Sequence, residues 1–157
     1  MANLTPAQQQ MNAILTDLQT LVTSGVLNSA TADSLTKVNP LDRTWSGFPS
    51  AVVIPPIVSG NTFEDSVTNL MEYTWYIMVV TTPDNIPKND PTYLAGLEDN
   101  IIQVFNMDAT LQGTANGAVF PTIIESPGPV NSGTTTYVLF YVSLKARAIV
   151  PSGVQQN

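Results

Sequence analysis

Two long runs with the two-residue period of a β-strand constrain this chain more than any other feature. In Leu70–Thr82 one face is Met71, Tyr73, Trp75, Ile77 and Val79, and the other is Glu72, Thr74, Tyr76, Met78 and Val80. In Thr134–Val150 one face is Val138, Phe140, Val142, Leu144 and Ala146, and the other is Tyr137, Leu139, Tyr141, Ser143, Lys145 and Arg147. Both faces of the first run are apolar toward its end, and the second face of the last run turns polar toward its end. A strand apolar on both faces needs a layer on each side, so the far end of the first run is expected to be covered on both sides.

Two helical patterns supply a layer. Thr5 is a candidate N-cap with Pro6 at the first helical position. Met11, Ile14, Leu15, Leu18, Leu21 and Val22 then form one stripe, and Gly25 suits the residue after the helix end, predicting a helix over about 6–24. Asp90-Pro91 repeats the opening, and Leu94, Leu97, Ile101, Val104 and Phe105 carry the second helix to about Asn106. Weaker signals predict a helical turn from Ser29 or Thr31 through Lys37, a short strand over Ser50–Ile54 and another over about 118–125. Pro55-Pro56 should end the Ser50–Ile54 strand or push it to a sheet edge. Gly, Pro and polar residues predict loops over 56–68 and 126–133. The expected fold is α+β, in the order α-β-β-α-β-β. An antiparallel sheet of about four strands would carry both amphipathic helices on one face. The 157 residues suit one domain over 1–150, with 151–157 a flexible tail.

Composition excludes much chemistry. The chain has no His and no Cys, so it has no Ser-His or Cys-His nucleophile system and no zinc site of ordinary ligand type. A formal charge of −7 opposes sequence-specific DNA binding, which draws its affinity from Lys and Arg. No basic residue precedes Lys37 and no run of 18 apolar residues occurs, so neither a secretory signal nor a membrane helix is expected, and a cytoplasmic site of synthesis is. Only 11% of residues are charged while 43% are hydrophobic, which points to apolar surface reserved for partners.

The remaining motifs read as structure. Adjacent carboxylates at Glu64-Asp65 and Glu98-Asp99 diverge too far for paired acid-base work and suit a loop and a solvated helix face. Gly113–Gly117 lacks the Lys and the strand-to-helix context of a phosphate loop. Trp45, Phe48, Tyr73, Trp75 and Tyr76 have no basic groove beside them, so core and interface packing accounts for them better than base stacking. Lys145 and Arg147 share a face and are either isolated surface cations or contacts to an acidic neighbour subunit.

With these elements placed, the chain resembles the tail-terminator (tail-completion) proteins of long-tailed bacteriophages. The resemblance rests on the N-terminal helix, Phe48–Pro55, the Tyr73–Val80 strand, the Tyr93–Phe105 helix, the closing strand and, most specifically, Asp-x-Thr-Leu-x-Gly at Asp108–Gly113. Glu72 stands where an Arg-rich character is often seen in that family. The resemblance implies a virion structural protein of the neck, not an enzyme, assembled in the host cytoplasm. Such subunits form a hexameric ring that caps the tail tube, stops its polymerisation and joins the head connector. Partners would be other copies of the chain, the tail-tube protein and the connector or stopper. Genomic DNA would pass through without specific binding, and no cofactor, metal or membrane is implied. Subunit-contact candidates are Glu72, Tyr73, Trp75, Lys145 and Arg147. Channel-lining candidates are Glu64, Asp65 and Asp108, from a wider set that includes Glu72, Asp84 and Asp90. A head-tail stopper or adaptor, a tail-tube or baseplate subunit, and a small carboxylate-using hydrolase are the alternatives.

Overall fold

The computed structural model describes residues 4–35, 39–63 and 68–151. Helix α1 spans Pro6–Thr23 and opens with a reciprocal cap. The Gln8 amide donates to Thr5 Oγ1 at 3.2 Å, and the Thr5 amide donates to Gln8 Oε1 at 2.8 Å. Gly25, with φ of +84°, lets the chain leave the helix end. Strands β1 (Ser29–Ala32), β2 (Ser50–Phe63) and β3 (Thr68–Thr81) follow, then helix α2 (Tyr93–Asn106), β4 (Pro121–Ser132) and β5 (Thr135–Pro151).

The fold is α+β with two helices and a mixed sheet in the order β1-β2-β3-β5-β4. The expected four antiparallel strands become five, because β1 adds a parallel pairing of Ser29–Ala32 with Ser50–Val53. This replaces the helical turn expected from Ser29. Ser29–Ala32 has no apolar stripe to hold a helix, whereas the β2 backbone satisfies its amides; Thr36, Lys37 and Val38 lie outside the described residues. The expected loop over 56–68 is also corrected. β2 runs through Pro55-Pro56 by a register shift between Ile54 and Ile57, and Ile57–Phe63 pairs with β3. Proline is tolerated there because β1 has already ended, leaving that side of β2 without a strand to receive a donor.

The third correction is 126–133. Pro127 falls in the register shift between Glu125 and Gly128, Gly128 and Pro129 pair with Leu139 and Val138, and β4, an outer strand, follows β5 down to Ser132, which leaves Gly133 in the turn. α2 begins at Tyr93, later than Asp90-Pro91 predicts, because Asp90 Oδ1 accepts from the Thr92 amide at 3.1 Å and the Thr92 hydroxyl at 2.8 Å and holds a turn before the helix. β5 reaches Pro151, and the rest of the expected tail lies outside the described residues.

Both helices pack on one face of the sheet, as expected. Ile14, Leu18, Leu97, Ile101 and Phe105 meet Ala51, Val53, Trp75, Ile77, Val79, Phe140, Val142 and Leu144 in the main core. A smaller cluster fills the opposite face at one end, where Leu41, Trp45 and Phe48 lie over Val52, Met78, Val80, Tyr137 and Leu139. The crossover from β1 to β2 therefore supplies the second cover, and among the described residues no segment covers the other end of that face.

Candidate functional site

The open end of the sheet face is built by residues that strand alternation places side by side. Glu72 and Arg147 are register partners, and their side chains pair at 3.3 Å. Ser59 donates to Glu72 Oε1 at 2.9 Å and receives the Thr74 hydroxyl at 2.9 Å. The Ser59 bond, followed by the bond and charge of Arg147 and the charge of Lys145, holds the Glu72 carboxyl below the usual glutamate range. Beyond this row, Thr122 and Ser143 face each other across β4 and β5, and Phe120 and Ile124 flank them. With Asn116–Ala118 they line a groove of about 650 Å³.

A buried polar network fixes this groove from behind. Gln10 on α1 is fully buried, accepts from Trp75 Nε1 at 2.9 Å and donates to the Arg147 carbonyl at 3.2 Å. The Asn116 amide donates to the same carbonyl at 2.8 Å. A helix, two strands and the loop over 108–117 thus meet at the backbone of Arg147.

That loop contains the Asp-x-Thr-Leu-x-Gly sequence, and each of its named residues has a structural task. Leu111, Gln112 and Gly113 are consecutive left-handed residues, with φ of 49°, 58° and 80°. Each non-glycine residue there costs about 1–2 kcal/mol. Asp108 Oδ1 offsets part of this by accepting from the Gln112 amide at 2.8 Å, and Thr110 Oγ1 accepts from the Gly113 amide at 3.3 Å. The Leu111 side chain is fully buried in the main core.

Asp108 is half-buried, and its Oδ1 accepts the Gln112 amide at an exposed position. Its Oδ2 is buried and faces Asp17 of α1, whose Oδ2 is buried as well. Burial first, then the hydrogen bond and charge of Asp108, raise the Asp17 carboxyl from 3.8 to about 7, while a bond from Gln112 lowers it. Asp17 therefore holds its proton to nearly neutral pH beside a second carboxyl.

The structure keeps Lys145 and Arg147 on one face, as alternation predicts, and the β3–β5 register brings Glu72 beside them. It separates Tyr73 and Trp75 from them, since these project to the helix face. Trp75 is buried in the main core and Tyr73 packs against it, so the Trp75 expectation of a subunit contact is corrected. Asp84 and Asp90 are exposed in the loop before α2, and Glu64 and Asp65 lie outside the described residues. Sequence reasoning missed Gln10 and Asp17, which sit on the buried face of α1 beside Ala13, Ile14, Leu18 and Leu21. The spacing of residues 10, 14, 17 and 21 is helical, but the residue types disguised it. It also missed Phe120 and Ile124, which strand alternation around Thr122 places on one face.

Among the described residues, no group of three or more carboxylates is placed to hold a metal ion. No helix there is long and apolar enough to cross a membrane. No protein-family model matches the chain, and no curated protein matches it significantly.

Proposed function

We propose that this chain is a ring-forming structural subunit of a phage neck, a tail terminator that caps the tail tube and joins the head connector. The observation that carries the reading is the open sheet face. It has a braced backbone, a structured ion pair and exposed Phe120 and Ile124, which suit contact with another protein chain rather than turnover of a small molecule. The self-capped Asp108–Gly113 loop, which carries the family resemblance, runs on into Asn116–Ala118 of the groove lining and supports the reading further. In this reading the ring is hexameric and sits in the virion neck after assembly in the host cytoplasm. Its bore is neutral or acidic, so that genomic DNA passes without being held. Lys145 and Arg147 face a neighbouring subunit.

The test uses purified tail tubes viewed by electron microscopy. The protein should sit on one tube end and stop further growth. Decoration along the sides or lengthening of tubes refutes the terminator reading and points to a tube or baseplate subunit. Binding to the connector with no affinity for tube ends points to a stopper or adaptor.

A further inference from the structure

The sheet order places β2 and β4 on opposite sides of the molecule. β1 covers β2 only along Ser50–Val53, so among the described residues no strand lies outside Ile57–Phe63. Ile57 and Val58 stand on that edge 58% and 55% exposed. On the far side, Phe120 is 70% exposed and Ile124 47%. Neither β2 nor β4 contains a Lys or Arg to guard it. Pro121, Pro127 and Pro129 take donors away from β4, which discourages a backbone ladder and leaves side-chain packing open.

We propose that the β2 edge at Ile57 and Val58 packs, head to tail, into the Phe120–Ile124 groove of a second copy of this chain. Charge favours this occupant. The groove holds two of the chain's 5 cations, Lys145 and Arg147, against Glu72 alone, while the whole chain carries 12 carboxylates. Another copy is thus a negative body meeting a locally positive groove. The incoming strand Ser50–Phe63 is itself uncharged, so no charge is buried without a partner. A two-fold contact would match one edge with itself and leave the other bare. The head-to-tail contact covers both edges of every subunit and propagates to a ring or a filament. The proposal deepens the neck-ring reading by naming its two surfaces.

The chain has no cysteine, so single thiols report the contact directly. Asn61 on β2 and Thr122 on β4 are exposed, and the variants Asn61→Cys and Thr122→Cys leave the apolar anchors in place. With a short bismaleimide linker, a mixture of the two should give a covalent dimer, and neither alone should exceed background. Dimers from either variant alone, or no dimer from the mixture, overturn the proposal. By native mass spectrometry, Val58→Asp and Phe120→Asp should each weaken self-association about ten-fold or more, and their equimolar mixture should restore a species that stops at two chains. A mixture no better than its components also overturns the contact. Tube capping by a protein that cross-links only through Thr122 to Thr122 would sink this contact and leave the neck reading standing. The expected cross-link in a protein that ignores tube ends would do the reverse.

Discussion

Replacing Asp17 by asparagine should stabilise the protein above neutral pH and flatten its stability profile between pH 5 and pH 8. Asp17 is 7% exposed on the buried face of α1, and its Oδ2 meets Asp108 rather than a fixed donor. Its carboxyl titrates at about 7 in the fold instead of 3.8. An unfolded chain releases this proton near pH 4 while the fold retains it to about 7, so the fold loses stability as pH rises through that window and levels off above it. The full shift of about 3 units corresponds to about 4 kcal/mol, an upper bound. Water near the exposed Gln112 turn screens the pair and brings the expected effect to about 1–2 kcal/mol. Asparagine keeps the shape and offers Asp108 a neutral donor at every pH. Urea unfolding followed by tryptophan fluorescence, at pH 5 and pH 8, gives the comparison. The variant should gain about 1–2 kcal/mol over the wild type at pH 8 and less at pH 5. Glu98, raised by burial and then by Asp99, and Glu72, lowered chiefly by Ser59, titrate in both proteins and cancel in the difference. Parallel profiles, or a variant less stable at pH 8, would refute the raised Asp17 carboxyl.

Three further outcomes follow from the same geometry. Trp75→Phe strands the buried Gln10 Oε1 and should cost about 1–3 kcal/mol; a double-mutant cycle with Gln10→Met should show the two residues coupled in chemical denaturation. Leu111→Ala empties a fully buried site while leaving the left-handed backbone strain in place, and should lower stability by about 2–5 kcal/mol in the same assay. Glu72→Gln breaks an ion pair whose arginine side chain is 59% exposed, so stability should change by less than about 1 kcal/mol, with a correspondingly weak response to salt in thermal melts.

Local signals were sufficient for α1, α2, β3 and β5. Helix period, the Thr5 cap, Gly25 and strand alternation act over a few residues, so their physics is written in neighbouring positions. Only the β3–β5 register brings Glu72 beside Lys145 and Arg147, but alternation foretold that these two share a face of their strand and that the far end of the Leu70–Thr82 run is covered on both sides. What covers it was not readable, because Leu41, Trp45 and Phe48 find Met78 and Tyr137 only after a long crossover.

Tertiary structure decided the rest, through partners distant in the chain. β1 is a strand because β2 lies beside it, and the proline-bearing stretches of β2 and β4 are strands because each has only one neighbour to satisfy there. Gln10 became a buried bridge when Trp75 and the Arg147 carbonyl came within reach, and the Asp17 carboxyl was raised when burial and the neighbouring Asp108 acted on it. Periodicity records which face a residue occupies, whereas burial of a polar side chain depends on what the rest of the fold sets opposite it.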